Sequence, residues 1–260
     1  MVRLCTPLAA LFALALTFAA APAVAQSYPS RTAEFIVHVN PSGGTDVFAR
    51  LVTEIMTRDK LVTQPLVVQS KTGGAGVVAF TYAKSKRGDP HTVLTIATGS
   101  FLTAAARSDL ELGLEHFTPL AFFARDPQGI IVSADSKYRT MKDLIDDAKT
   151  QPEAIVCAIT SATGTGRMTL WRLEKETGSR YKFVTFKAGS EAVTAVLGGH
   201  VPFTTENGSE AWGHIEAKKM RVLAVTTEKR MPALPDVPTM NELGYKIEIG
   251  TGRGFVMPAG

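Results

Sequence analysis

The sequence contains very little cysteine, with two cysteines among its 260 residues. Cys5 precedes a long apolar run near the N-terminus, so Cys157 is the one cysteine that follows that run. A single cysteine cannot form an intramolecular disulfide, and the fold must therefore depend on a hydrophobic core. Because Cys5 lies before the run and not after it, we expect no lipid-modified cysteine at a mature N-terminus.

The sequence also lacks the patterns of metal sites, hydrolases and nucleic-acid-binding surfaces. No pair of its five histidines has metal-ligand spacing on one helix, and it has no G-x-S-x-G elbow. Its 28 basic and 24 acidic residues are interspersed, so neither sign forms a long run. We therefore predict no metal, no cofactor, no catalytic residues and no nucleic-acid partner. The histidines are His38, His91, His116, His200 and His214.

An NAD-binding enzyme is a less favoured alternative that rests on one short match. Residues Gly74 to Ala79 fit G-x-G-x-x-A and follow the strand predicted at Leu66 to Val68. The acidic residue that a dinucleotide site needs about 20 positions later, at the end of a second strand, is missing.

The N-terminus has the pattern of a secretory signal peptide. Arg3 precedes an almost uncharged apolar run from Pro7 to Val24, and Ala23-Val24-Ala25 forms an A-x-A cleavage site. An uncleaved membrane anchor is the alternative, since the run approaches the length that spans a bilayer. We predict that residues 1–25 are removed on export, which leaves about 235 residues, enough for two lobes with their own cores.

Downstream of the leader, short β-branched runs alternate with amphipathic segments, which is typical of an α/β fold with mostly parallel sheets. Apolar residues from Phe48 to Met56 follow helical spacing, and a second helix is predicted after Thr140, with Asp143 as its capping partner. A third helix is predicted from Ser190 to Leu197. The predicted strands are 34–39, 66–68, 93–97, 129–132, 155–159, 183–186, 201–204 and 222–226.

Three donor-rich loops follow predicted strands and precede predicted helices. Ligands of α/β folds bind beyond the carboxyl ends of strands, and free N–H groups at a helix start favour anions. Three such loops without a metal cluster suggest a carboxylate site, although glycine-rich loops also occur simply to make a turn. Asp46 is equally explained as a helix cap, and Lys187 as a solvated lysine. The loops are Asn40–Asp46, Thr160–Gly166 and Phe186–Ser190.

The order of several motifs along the chain resembles the receptors of tripartite tricarboxylate transporters, known as Bug-type receptors. Together these motifs span nearly all of residues 28–260. They are Tyr28–Arg31, Pro41–Asp46, Gly73–Gly76, Gly88–Thr92, Phe117–Leu120, Met220–Thr226, and Arg230 with Pro232–Thr239.

The resemblance implies a two-lobed periplasmic binding protein fold of type II-like architecture, with the ligand cleft between the lobes. Lobe 1 would comprise residues 26–125 with 250–260 returning to it, and lobe 2 residues 126–249. The implied partners are membrane transporter subunits and a small carboxylate, which is a di- or tricarboxylate, an acidic amino acid or an aromatic carboxylate. The implied receptor is a periplasmic monomer. The implied contact residues are Ser42, Gly43, Gly44, Thr45, Asp46, Thr98, Gly99, Ser100, Ser161, Gly164, Thr165, Phe186, Lys187, Ala188 and Gly189.

Several positions depart from the family pattern, so the ligand cannot be inferred from a relative. Ser42, Ala162 and Ala188 replace customary glycines, Arg167 follows the second loop, and Pro202 replaces an Asp in a predicted strand, which could bend it or place it at an edge. The family's C-terminal helices do not follow Gly260, and we expect apolar surface on lobe 1 where they would pack. A sensory module for a membrane signalling protein, using the same lobes, remains an alternative function.

Overall fold

The computed structural model describes residues 28–260, and the predicted signal peptide lies outside them. Within this range the chain forms nine strands and seven α-helices in largely alternating order. The strands are β1 (Ala33–Val37), β2 (Leu66–Ser70), β3 (Thr92–Ala97), β4 (Phe117–Ser133), β5 (Val156–Ile159), β6 (Lys182–Thr185), β7 (Phe203–Asn207), β8 (Met220–Val225) and β9 (Gly250–Pro258). The helices are α1 (Gly44–Arg58), α2 (Val77–Ser85), α3 (Thr98–Ala105), α4 (Met141–Thr150), α5 (Thr165–Thr177), α6 (Gly189–Leu197) and α7 (Gly208–Glu216).

The long strand β4 connects two halves of the sheet because it changes its neighbours along its length. Residues 117–127 pair with β9, whereas residues 128–133 pair with β7 and β8. The full strand order is β2-β1-β3-β9-β4-β7-β5-β6, with β8 on β4. The result is the predicted two-lobed α/β fold, in which β1, β2 and β3 are parallel in one half and β5, β6 and β7 in the other. The predicted lobe boundary at residues 125 and 126 stays a prediction, because strand pairing does not report which residues move together.

Each half has its own hydrophobic core. Ile36, Phe80 and Leu94 are fully buried in the first half, and Leu144 and Phe203 are fully buried in the second. A core of this kind is what the shortage of cysteine requires, and Cys157 itself is buried without a disulfide partner. No helix within residues 28–260 is long and apolar enough to cross a bilayer.

The predicted helices form, but the apolar face of the first one is only partly covered. Its buried positions are Thr45, Asp46, Ala49 and Thr53, while Phe48 and Val52 pack partly buried against the core and Leu51 is exposed. Helical periodicity fixes which residues share a face but not how completely neighbouring elements cover it. The first half also exposes the apolar side chains of Leu120, Phe122 and Phe123 on β4.

Strand β4 is longer than the predicted segment because its first part lies at a sheet edge. Residues 117–127 hydrogen-bond to β9 on one side only, so Pro119 and Pro127 remove no ladder bond that the sheet needs. The alternative that Pro202 marks a sheet edge is wrong, whereas the chain does bend at residues 201–202. Strand β7 begins one residue later, at Phe203, and lies between β4 and β5.

Helix α4 has the predicted capping box, and its contribution to stability can be measured. The amide of Asp143 donates to Thr140 Oγ1 over 3.2 Å, and the amide of Thr140 donates to the Asp143 carboxylate over 2.8 Å. We expect Thr140→Ala to lower the free energy of unfolding by about 1 kcal/mol in urea denaturation. Thr150→Ala, at the exposed C-terminal end of the same helix, is the matched control and should change it little. Equal losses in the two variants would contradict a specific capping effect.

Candidate functional site

A cavity of about 910 Å³ lies between the two halves and collects most of the predicted contact residues. It is lined by all three predicted donor loops and by the start of α3. The predicted residues that line it are Gly43, Gly44, Thr45, Gly99, Ser100, Ser161, Gly164, Thr165, Phe186, Lys187, Ala188 and Gly189. Their role as ligand contacts stays a prediction, but the fold does bring them to one place.

Three predicted contact residues, Ser42, Asp46 and Thr98, do not line the cavity, and the side chains of Asp46 and Thr98 have other structural roles. Asp46 accepts hydrogen bonds from the amide of Ser42 over 3.0 Å and from Arg50 Nε over 2.9 Å, so it caps the first turn of α1. Thr98 Oγ1 accepts from the amide of Gly252 over 2.9 Å and joins α3 to β9. The residues from Thr98 to Ser100 begin helix α3 directly after β3.

Four helices begin at the cavity without a side-chain cap. The N-cap residues of α1, α3, α5 and α6 all line the cavity, and none accepts a capping bond through its side chain. Amides in the first turn of a helix have no intrahelical acceptor, and the helix dipole adds partial positive charge there. The cavity therefore has several positions that favour an anionic group. The four N-cap residues are Gly43, Ala97, Gly164 and Ala188.

Helix α4 provides an internal comparison, since it begins away from the cavity and is capped by Thr140. Serine, threonine, aspartate and asparagine are the usual N-caps, whereas glycine and alanine leave the amides free for another acceptor. The small N-cap residues at the cavity thus leave room for a ligand to take the place of a capping side chain.

A buried ion pair crosses the floor of the cavity. Arg253 on β9 donates to Asp126 Oδ2 from Nη2 over 2.6 Å and from Nε over 3.1 Å, and its Nη1 donates to Thr45 Oγ1 over 3.1 Å. Ser209 Oγ donates to the same carboxylate oxygen over 2.6 Å. Arg253 is therefore committed to partners on β4 and α1, and it ties both lobe-connecting strands to the first helix.

Two glutamates of the second half face the cavity. The amide of Gly44 donates to Glu210 Oε1 over 2.8 Å, so this carboxylate occupies the N-terminus of α1. Burial raises the pKa of Glu210, while the Gly44 amide and Arg253 oppose that rise. Glu206 is 4% exposed, and burial together with the Glu210 charge raises its pKa to about 8.

Two cavity-lining side chains have a buried polar atom without a partner among the described residues, Oε1 of Glu206 and Nδ1 of His38. Burial and the neighbouring charge of Arg253 lower the pKa of His38 to about 4, so its imidazole is neutral. Buried polar atoms are normally paired, and both are therefore candidates for contact with a ligand.

Threonine hydroxyls connect the two halves around the cavity. Thr163 Oγ1 donates to Thr103 Oγ1 over 2.9 Å, and the hydroxyls of Thr165 and Thr251 lie 3.0 Å apart. These bonds join the second loop to α3 and to β9, so they depend on the relative position of the halves. Arg167, which follows the second loop, lies outside the cavity and pairs with Glu174 over 3.2 Å.

The sequence analysis did not identify Glu206, Glu210 or Arg253 as cavity residues. Glu206 alone could have been found, from its position at the end of a strand. Glu206 lies at the carboxyl end of β7, where ligands of parallel sheets bind. The glycine-rich loops were predicted instead, because their glycines and hydroxyl side chains can be recognised in the sequence without knowledge of the residues that surround them in space. Within residues 28–260 no group of three or more His, Cys, Asp or Glu side chains is arranged to hold a metal ion.

Comparison with known proteins agrees with this fold. Residues 48–260 match the family described as tripartite tricarboxylate transporter family receptor. The UPF0065 protein in gbd 5'region of Cupriavidus necator is 30% identical over 252 residues, which cover 95% of this chain and 75% of that protein.

Two solved structures show the same fold. The periplasmic binding protein BugD is 27% identical with a TM-score of 0.80, over 90% of this chain and 78% of BugD. MatC from Rhodopseudomonas palustris, with bound malate, is 22% identical with a TM-score of 0.80, over 90% of this chain and 80% of MatC. The chain belongs to the tripartite tricarboxylate transporter receptor family, as a solute-binding receptor of the Bug type and not an enzyme.

Proposed function

We propose that this receptor captures a small carboxylate outside the cytoplasm and presents it to a tripartite tricarboxylate-type transporter. One observation carries the proposal: four helices begin at the same cavity with small N-cap residues, and at α3, α5 and α6 no carboxylate of residues 28–260 bonds to the first-turn amides. Amides of a first helical turn bind anions by hydrogen bonding and through the macrodipole. A carboxylate is one of the anionic groups that such donors accept, and the family of this receptor favours it over phosphate or sulfate.

The polar groups around these helices fit carboxylate capture. Ser100, Ser161 and Thr165 offer hydroxyls at the starts of α3 and α5, and Lys187 adds a cation at the cavity mouth before α6. Arg253 lends positive charge to the floor, although its own hydrogen bonds are used within the protein. The malate held by MatC, which shares the fold, is a ligand of this class.

We infer that binding closes the two halves on the ligand by a hinge at β4 and β9. These strands are the long segments that pass between the halves, and hinges absorb closure through a few residues at such connections. A closed receptor would then be recognised by membrane transporter subunits, as the family name implies. Export by a signal peptide, a periplasmic location and a monomeric state complete the proposal.

The proposal can be tested by a thermal-shift screen of residues 26–260 against carboxylates, each paired with its neutral amide. A ligand that binds only the folded state stabilises it by about 2.7 kcal/mol at 100 times its dissociation constant. For a chain of this size we expect the melting temperature to rise by roughly 5–10 °C with a carboxylate and to stay unchanged with the amide. Mass spectrometry should recover the ligand unaltered. A response to amides alone, or to NAD, would contradict carboxylate capture.

A further inference from the structure

Glu206 is a buried carboxyl group that the capture of a simple carboxylate does not explain. Its side chain lines the cavity, is 4% exposed, and has an oxygen with no partner among residues 28–260. Thr160 and the Asn207 amide hydrogen-bond to this carboxyl group, but a buried carboxyl oxygen left without a partner costs free energy unless something binds to it. The cavity is thus missing a group that would complete the hydrogen bonding of Glu206.

Glu210 brings a second carboxylate to the same part of the wall. A methyl group placed on Gly189 would lie 3.1 Å from Glu206 Oε2 and 2.9 Å from the Glu210 carboxyl carbon, so both side chains reach the start of α6. Within the described chain, neither carboxylate has an ion pair with lysine or arginine. Arg253, the nearest guanidinium to Glu210 by its contacts, is held by Asp126 and Thr45. The two glutamates therefore have no ion pair of their own within residues 28–260, and the charge of Arg253, which lies beside Glu210, is shared with Asp126.

The starts of α3 and α5 have the reverse character, since no carboxylate bonds to their first amides within residues 28–260. The starts of α3 and α5 approach so closely that a methyl group on Gly99 would lie 3.1 Å from the amide nitrogen of Thr165. Neither helix has a side-chain cap, and no carboxylate of the described chain bonds to the first-turn amides there. At α1, by contrast, Glu210 already occupies the corresponding position. The free anion-binding end of the cavity is thus the one formed by α3 and α5.

We propose that the ligand is a zwitterion whose ammonium group binds Glu206 and Glu210 while its carboxylate binds the starts of α3 and α5. This inference rests on the proposed function and specifies the class of carboxylate. An ammonium group supplies the donor that Glu206 Oε1 lacks, and a charge-assisted bond of this kind is stronger than a neutral one. It also relieves the repulsion between the two glutamates. The ligand class is that of amino acids and other small amino carboxylates.

Matched pairs of amino and hydroxy acids test the inference, because each pair differs only in ammonium against hydroxyl. Suitable pairs are L-aspartate with L-malate, L-glutamate with 2-hydroxyglutarate, L-alanine with lactate, and L-phenylalanine with phenyllactate. We expect the amino acid of at least one pair to bind at least tenfold more tightly in isothermal titration calorimetry. Glu206→Gln should remove that preference by weakening the amino acid at least tenfold and leaving the hydroxy acid nearly unchanged.

Glu216→Gln is the matched control, because Glu216 lies exposed at the end of the same helix as Glu210 and outside the cavity. It makes the same charge change and should alter no affinity. Melting curves check that Glu206→Gln folds. Glu210→Gln should also weaken the binding of the amino acid and is a second, independent test. Tighter or equal binding of the hydroxy acid in every pair, or a preference that survives both Glu206→Gln and Glu210→Gln, would overturn the inference.

A proton measurement on the unchanged protein gives an independent result. At pH 8, close to the pKa of Glu206, an ammonium ligand should lower that pKa and release up to about half a proton. A ligand bound instead by a protonated Glu206 would raise the pKa and take up a proton, which contradicts the inference. Calorimetry in two buffers of different ionisation enthalpy distinguishes proton release from proton uptake on binding.

The other titratable side chains near the cavity do not change the expected direction of proton exchange on ligand binding. Burial raises the pKa of Cys157 to about 12, and the pKa of His38 is lowered to about 4, so both are neutral at pH 8. Glu210 contributes in the same direction as Glu206 because its pKa is also raised. The remaining charged groups at the cavity are Asp126, Lys187 and Arg253.

The two proposals fail in distinguishable ways. Binding of malate or another carboxylate without preference for an ammonium group would leave carboxylate capture intact and remove the zwitterion. Absence of binding by every acid in the pairs and in the thermal-shift screen would remove carboxylate capture itself.

Discussion

Replacing Gly44 with alanine is expected to weaken ligand binding at least tenfold, which corresponds to about 1.4 kcal/mol. Gly44 is the first residue of α1, and a methyl group there would lie 2.6 Å from both Arg253 Nη2 and Glu210 Oε1. Both distances are shorter than van der Waals contact, so the two side chains must move away from the cavity wall. The positions of Arg253 and Glu210 at the cavity wall are then altered, while the helix itself tolerates alanine well.

Gly208→Ala is the matched control for this variant. Gly208 is the first residue of α7, and a methyl group there would meet nothing within 4 Å. Titration calorimetry on both variants with the tightest carboxylate should show loss of affinity in Gly44→Ala alone, and urea denaturation should show that both fold. If Gly44→Ala binds as tightly as the unchanged protein, the start of α1 and the side chains it contacts do not belong to the site.

Replacing Arg253 with methionine is expected to lower the free energy of unfolding by roughly 3–5 kcal/mol. The ion pair with Asp126 is buried, with side-chain exposures of 7% and 12%, so methionine would leave the Asp126 carboxylate without its main partner. The three hydrogen bonds that Arg253 makes to Asp126 and Thr45 would also be lost. Urea denaturation measures the loss, and the melting temperature should fall by roughly 10 °C.

Two further variants separate the effect of burial from that of charge. Arg107 and Asp109 form an ion pair at the same 2.6 Å distance, but with side-chain exposures of 51% and 61%, so Arg107→Met should cause no measurable loss. The double variant Arg253→Met with Asp126→Leu should recover part of the stability, because it leaves no unpaired buried charge. A loss below about 1 kcal/mol in Arg253→Met would show that the buried pair is not a main source of stability.

The elements that sequence patterns predicted are those with local physical causes. The capping box at Thr140 and Asp143 needs only residues three positions apart, and the helix starting at Gly44 follows from apolar spacing and a preceding glycine-rich turn. Most of the donor-loop residues also reached the cavity, because strand-to-helix loops of parallel strands lie at the same edge of a sheet. The two-lobed fold came from the order of motifs and their resemblance to a family.

Long-range contacts explain what the sequence patterns missed. Strand β4 extends through Pro119 because its first part pairs on one side only, which no local pattern reports. Asp46 and Thr98 were predicted as contacts, but their neighbours use them as a cap and as a link to β9.

The sequence by itself determined the α/β order, the capped helix and the donor-rich loops, because these depend on residues close together along the chain. Only the tertiary structure decided the charge arrangement of the cavity. Glu206, Glu210 and Arg253 come from separate elements, and their properties arise from burial and from partners such as Gly44 and Asp126, far away in sequence. Desolvation and pairing act through three-dimensional distance, so no local pattern distinguishes these residues from ordinary surface charges.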